Sequence, residues 1–197
     1  MNLRELRRQL RGRRRAIANA ERSAADRSIR ASLQHLGIWK RGARVAAFLG
    51  LPDEVDLRPC FGLAWQRGVA IYVPRIIQTR SGMMAFVPLR ADATLAANRF
   101  GIAEPAGGPR GRIPVRHLDT ILVPLVGFDA HGHRLGMGAG FYDRALRPRL
   151  DRTQAFRRPR LIGVAYSVQQ VEQLDPASWD VALDLVVTER GILHFAR

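Results

Sequence analysis

The residues best equipped for chemistry lie between Ile121 and Arg144. An apolar run from Ile121 to Val126 leads into a polar turn at Asp129 to His133. Three alternate glycines follow, Gly136, Gly138 and Gly140. Glycine adopts positive φ at little cost, so alternate glycines let successive backbone N–H groups turn into one concavity. A helix predicted to start near Phe141 would add unpaired N–H groups and a positive dipole end. The arrangement suits a phosphate, although a tight strand-to-helix turn uses the same residues. Tyr142, Asp143 and Arg144 stand directly behind the glycines. A carboxylate beside a polyphosphate is repelled unless a cation lies between them. Asp143 therefore points to Mg2+, held by one or two carboxylates and phosphate oxygens. Its alternative is a first-turn helix acid interacting with the dipole.

Other phosphate-binding designs are excluded. The loop lacks the Gly-x-x-x-x-Gly-Lys-Ser/Thr pattern, and Lys40 is the only lysine in the chain. Its glycine spacing also differs from the dinucleotide fingerprint, which needs an acid at the end of the next strand.

The block Phe128-Asp129-x-x-Gly132-x-Arg134-Leu135-Gly136-x-Gly138-x-Gly140-Phe141-Tyr142-Asp143-Arg144 resembles the signature of the 5-formyltetrahydrofolate cyclo-ligases. The likeness extends to an Arg-rich N-terminal helix with Leu6-Arg7, to Asp53-Glu54-Val55-Asp56, to Gly101-Ile102-Ala103-Glu104-Pro105, to Trp179-Asp180 and to Val186-Val187-Thr188. It implies an enzyme that uses ATP and Mg2+ to convert 5-formyltetrahydrofolate into 5,10-methenyltetrahydrofolate, ADP and phosphate. By the same resemblance, Arg134, Leu135, Gly136, Met137, Gly138, Ala139, Gly140, Phe141 and Tyr142 would wrap ATP, with Arg7 and Arg4 reaching its phosphates. Arg134 and Arg144 suit γ-phosphate charge and, with Tyr142, form the expected catalytic set. Asp143 and Asp180 would be the metal ligands. The folate would meet Leu49, Glu54, Phe100 and the stretch from Met137 to Phe141. The family often has Lys where Leu3 stands, so that contact is either lost or taken over by Arg4.

These residue types suit the chemistry. Glu54 can accept the adjacent N–H and NH2 donors of a pterin as a bidentate pair, or serve as a helix N-terminal acid. For Asp53 and Asp56 the helix role is preferred. Phe100 fits either stacking on the pterin or an ordinary core position. Glu104 is expected to shape its loop. His131 and His133 lack further ligands and read as a solvated turn.

Ten arginines fall within residues 1–30 against three acids, and seven within residues 144–160 against one, in a chain of formal charge +15. Such clusters attract RNA, anionic membranes or small polyanions. Otherwise they are solvated helix faces, a reading favoured by a composition that uses Arg in place of Lys. Without aromatic interleaving or RNA-binding signatures, no specific nucleic-acid partner is expected. No apolar run approaches the ~20 residues that span a bilayer, and no apolar stretch follows the N-terminal charges. With Cys60 as the single cysteine, read as a small buried hydrophobe, a cytoplasmic monomer is expected. The principal rival function is a basic RNA- or ribosome-associated binder on the same fold.

The periodicity predicts a helix over 3–18, and a second after an Asn19 cap, closed by Gly37. Strands are predicted at Val45–Leu49, Val69–Pro74 and Met84–Val87, then at Ile121–Val126, Leu161–Ala165 and Leu185–Thr188. Helices are predicted near 57–67, 141–149 and 168–174, with residues 101–116 as a loop. Strands alternating with helices, with apolar runs too continuous for one-sided burial, indicate an α/β fold. A largely parallel sheet flanked by helices is expected, as one domain over 1–197 with an Arg-rich N-terminal helical segment. Ligands gather at the carboxyl ends of strands in such sheets. The Leu49–Asp56 turn, the Gly132–Arg144 loop and the Thr188 end should converge there.

Overall fold

A computed structural model describes residues 2–78, 80–150 and 158–195. It opens with α1 (Leu3–Arg15) and α2 (Asn19–His35). Next come β1 (Arg44–Ala46), α3 (Arg58–Gln66), β2 (Ala70–Gln78) and β3 (Met83–Pro88). β4 (Leu95–Ala97) and β5 (Ala103–Pro105) form a hairpin, then β6 (Thr120–Pro124) returns to the main sheet. β7 (Gly127–Phe128) and β8 (Arg134–Leu135) form a second small hairpin before α4 (Phe141–Leu146). β9 (Arg160–Val164), β10 (Leu185–Thr188) and β11 (Gly191–His194) complete the chain.

The seven-stranded sheet has the order β11-β10-β9-β6-β1-β2-β3. Its five central strands are parallel, and the edge strands β3 and β11 run antiparallel. The α/β reading therefore holds. Alternate residues of β6 explain the continuous apolar runs. Leu122 packs with α2 and α3 on one face, through Ile29, Leu33, Cys60 and Phe61. Ile121 and Val123 pack with Leu146 of α4 on the other. Burial pushes the Cys60 thiol up to about 11, as suits an inert core cysteine.

From β1 the chain passes first to β2 on one side and later to β6 on the other. The carboxyl ends of β1 and β6 therefore flank a topological switch point, where open α/β sheets leave a crevice. The segment after β1 carries Leu49 to Asp56, and the segment after β6 carries the glycine loop.

Several boundaries differ from the sequence expectation. β1 stops at Ala46, because Phe48 and Leu49 leave the ladder to enter the core. Asn19 is the first residue of α2 and not its cap; Ala18 stands at the cap without a side-chain bond. α1 has the stronger start, since Asn2 and Glu5 form a reciprocal capping box. The helix expected over 141–149 is α4, six residues long, followed by a 3-10 turn at Arg147–Leu150. At 168–174 there is only a 3-10 turn, Ser167–Gln169. Residues 103–105 of the expected 101–116 loop pair with β4.

Candidate active site

Asp129 organises the approach to the site. Its carboxylate is fully buried. Oδ1 accepts the backbone N–H groups of His131 and His133, while Oδ2 accepts the Leu174 N–H at 3.0 Å and lies 2.8 Å from His133 Nδ1. Burial raises the pKa of such a group, but the bonds from His133, Leu174 and His131 outweigh it and hold the carboxyl below its usual range. The turn is thus structural, closing the β7–β8 hairpin so that Arg134 and the glycine loop emerge in register.

The loop itself departs from regular structure in a specific way. Gly138 and Gly140 have φ of +95° and +66°, where a side chain would be strained, whereas Gly136 does not. Arg7 of α1 donates from Nε to the Gly136 carbonyl at 2.8 Å, and its guanidinium lies over Gly138. Arg144 donates to the Ala139 carbonyl and, at 3.2 Å, to the Gly82 carbonyl. A Cβ at Gly140 would come within 3.0 Å of Arg144 Nη1. Two arginines therefore hold the loop, Arg7 at Gly136 and Arg144 at Ala139. With only six residues, α4 has too small a dipole to anchor an anion by itself. Met137, Gly138 and Ala139 are exposed, while Leu135 is buried against Leu10 of α1.

Arg134 is nearly buried, with its side chain 4% exposed. It donates to the Asp143 carboxylate and to the Val181 carbonyl, and thereby draws the Asp143 turn towards the segment carrying Asp180. Asp180 itself accepts the Ala177 N–H at 2.9 Å. The hydroxyl of Tyr142 is buried without a hydrogen-bond partner. Burial raises its pKa; the Glu54 carboxylate adds to the rise and Arg134 opposes it. The Tyr142 ring packs edge-on against Phe86, 6.4 Å between centroids.

On the acid loop, Glu54 Oε1 accepts Arg14 Nη1 at 3.1 Å and Oε2 accepts the Leu51 N–H at 3.0 Å. A carboxylate has about four lone-pair sites, so roughly half its accepting capacity is left. Leu49 is buried in the core, which leaves only its backbone to meet a ligand. Phe100 caps the tip of the β4–β5 hairpin and is exposed, with Arg99 over its ring. It meets Phe141 edge-on at 6.2 Å, which removes the ordinary-core alternative. Asn98 shapes that tip by accepting the Phe100 and Ile102 N–H groups and donating to Glu104. Arg4 is exposed on the first turn of α1. Thr188 is engaged within its own turn, bonded by the Arg190 N–H.

The sequence model of the 5-formyltetrahydrofolate cyclo-ligase family matches residues 2–189. The chain belongs to this family. A 5-formyltetrahydrofolate cyclo-ligase of Escherichia coli (strain K12) is 36% identical over 144 residues, covering 73% of this chain and 76% of that protein. The NMR structure of an Aquifex aeolicus 5,10-methenyltetrahydrofolate synthetase superposes with a TM-score of 0.83 at 30% identity. It covers 100% of this chain and 94% of its own. A 5,10-methenyltetrahydrofolate synthetase from Mycoplasma pneumoniae gives 0.74 at 26% identity, covering 96% and 99%.

The cyclo-ligase family implies ATP as co-substrate, which fits the loop and its arginines. Among the described residues no group of three or more His, Cys, Asp or Glu could hold a metal. Mg2+ that arrives with a nucleotide needs only one or two protein carboxylates beside phosphate oxygens and water. Asp143, 29% exposed and already beside a buried cation, has the right chemistry for the rim of such a site. Among the described residues no helix is long and apolar enough to cross a membrane.

Arg4, Arg8, Arg13, Arg15 and Arg27 are exposed, as expected of solvated helix faces, but Arg14, Arg22 and Arg30 are not. Arg14 is 2% exposed. Arg22 reaches the Asp53, Arg14 and Ile17 carbonyls, and Arg30 the Asp56 carbonyl. Buried Arg14 and half-buried Arg22 and Arg30 tie α1 and α2 to the acid loop. In the second cluster Arg158 pairs with Asp119 and Arg149 with Asp184, while Arg152 and Arg157 lie outside the described residues.

Proposed function

We propose that this protein converts 5-formyltetrahydrofolate and Mg2+-ATP into 5,10-methenyltetrahydrofolate, ADP and phosphate. The observation that carries this reading is the meeting, at one strand-end crevice, of two recognition surfaces. A glycine loop held by Arg7 and Arg144 is joined through α1 to an acid, Glu54, since Arg7 bonds the Gly136 carbonyl and Arg14 the Glu54 carboxylate. A nucleotide triphosphate suits the first surface and a pterin the second.

The formyl oxygen of the substrate is a poor leaving group. It attacks the γ-phosphorus, forming an O–P bond as the bond to ADP breaks. N10 then attacks the activated carbon and releases its proton to solvent, and phosphate departs with the C–O electron pair. No covalent protein intermediate is needed, so the work is positioning and charge neutralisation. Loop N–H groups with Arg7 and Arg144 hold the phosphates, and Arg134 and Tyr142 stand where charge moves between the substrates. When bound, Mg2+ supplies neutralisation at the phosphate oxygens, with Asp143 and Asp180 as its protein carboxylates. Glu54 accepts the pterin donors, and Phe100 with Phe141 offers an aromatic wall to the ring.

Purified protein should generate the methenyl chromophore from 5-formyltetrahydrofolate only when ATP is present, and release ADP only when the folate is present. Failure of both would favour the RNA binder. So would RNA affinity at physiological salt well beyond the non-specific range of about 10⁻⁴–10⁻⁶ M. Within the enzyme reading, Glu54→Gln exchanges one acceptor for a donor. Folate affinity should weaken by about 10- to 100-fold, the equivalent of one unpaired polar group, while ATP affinity stays nearly unchanged. Equal weakening of both ligands by calorimetry would show a folding defect and contradict the assignment.

A further inference from the structure

Arg14 poses a question that the reaction scheme does not use. Its charge is buried, and a buried guanidinium is costly unless its N–H groups are met. They are met by the acid loop. Nε and Nη2 both donate to Asp53 Oδ2, at 3.1 and 2.9 Å, and Nη1 donates to Glu54 Oε1 at 3.1 Å. Arg14 thus faces two carboxylates, and Arg15 Nε stands 3.6 Å from Asp53 Oδ2 as well. Asp53 takes two of the bonds and Glu54 one, so Glu54 is oriented by Arg14 while keeping accepting capacity for a ligand. The clamp is backed from behind: Arg22 donates to the Arg14 carbonyl at 2.7 Å and to the Asp53 carbonyl at 2.8 Å.

Arg14 also stands seven residues after Arg7, two helical turns along one face of α1, a rise of roughly 10 Å. Arg7 holds the Gly136 carbonyl of the glycine loop. Between them Leu10 is fully buried and rests on Gly127, where an added Cβ would sit 2.5 Å from its Cδ1. One helix, seated on the β7–β8 hairpin by Leu10, therefore grips the glycine loop at one end and the acid loop at the other.

We propose that Arg14 is a positioning residue that sets the Glu54 carboxylate for the folate, with α1 fixing its distance from the phosphate loop. This inference rests on the reading of Glu54 as the pterin acceptor. Lysine keeps the charge but cannot bridge Asp53 and Glu54 with a planar fork, so Arg14→Lys is the informative change.

The test is a double-mutant cycle on 5-formyltetrahydrofolate and on a non-hydrolysable ATP analogue, using wild type, Arg14→Lys, Glu54→Gln and the double variant. Arg14→Lys should raise the folate Kd and KM by about tenfold, the loss of one charge-assisted bond, and leave the affinity for the ATP analogue unchanged. In the Glu54→Gln background the same change should have little further effect on folate, because the group that Arg14 acts through is gone. An undiminished Arg14 effect in that background would overturn this inference alone. Wild-type folate affinity in Glu54→Gln would overturn the pterin reading and this inference with it. Should Arg14→Lys fail to fold, Asp53→Asn loosens the same fork and is held to the same comparison.

Discussion

Replacing Asp143 with Asn is expected to lower turnover by roughly 10²–10³-fold, the scale of removing one preorganised electrostatic group from an active site. The amide keeps the oxygen that Arg134 donates to, so the loop retains its shape, but the charge that would help hold Mg2+ is gone. Arg134 is nearly buried and loses its counter-charge, so some stability is lost as well, about 1–2 kcal/mol or a fall in Tm of roughly 2–8 °C. The two effects separate experimentally. Raising Mg2+ should recover part of the turnover without moving the ligand-free Tm. Wild-type turnover at limiting Mg2+ would remove Asp143 from the metal site.

The second large effect concerns stability. Asp129→Asn keeps Oδ1 for the His131 and His133 N–H groups but turns a donor towards the Leu174 N–H and His133 Nδ1. Leaving such buried groups unmatched costs about 3 kcal/mol, a Tm fall of roughly 6–12 °C for a chain of this size. The pH dependence has a definite sign. The folded-state pKa is depressed, so the carboxylate's contribution is present above the unfolded value of about 3.9 and is lost as pH falls through the folded value. Wild type should therefore lose more Tm than the variant on acidification below about pH 4. Parallel Tm curves for the two proteins down to acid pH would contradict this role.

Much of the sheet was legible in the sequence, because strands buried on both faces leave unbroken apolar runs such as Ile121 to Val126. The small hairpins were not. β7 and β8 contribute two residues each, too short for periodicity, and β4 is exposed throughout, so no alternation marks it. The glycine loop was legible because positive φ and close approach demand a residue type, as at Gly138 and Gly140. Arg14 was hidden for the opposite reason. In a helix with arginine at almost every second position, nothing local separates the one that turns inward, and its partners lie 39 and 40 residues away. Asp129 was visible as a turn acid, but its reach to Leu174, 45 residues on, depends on the fold alone.

The central claim is that ATP activates the formyl oxygen at the crevice between the glycine loop and Glu54. The most direct measurement starts from 5-formyltetrahydrofolate carrying a heavy-oxygen label on the formyl group and follows the label by mass spectrometry during a single turnover with Mg2+-ATP. The account predicts that the label leaves in inorganic phosphate, in step with the methenyl product, and that ADP remains unlabelled. Methenyl product accompanied by unlabelled phosphate, or ATP consumed with the label still on the folate, would contradict it.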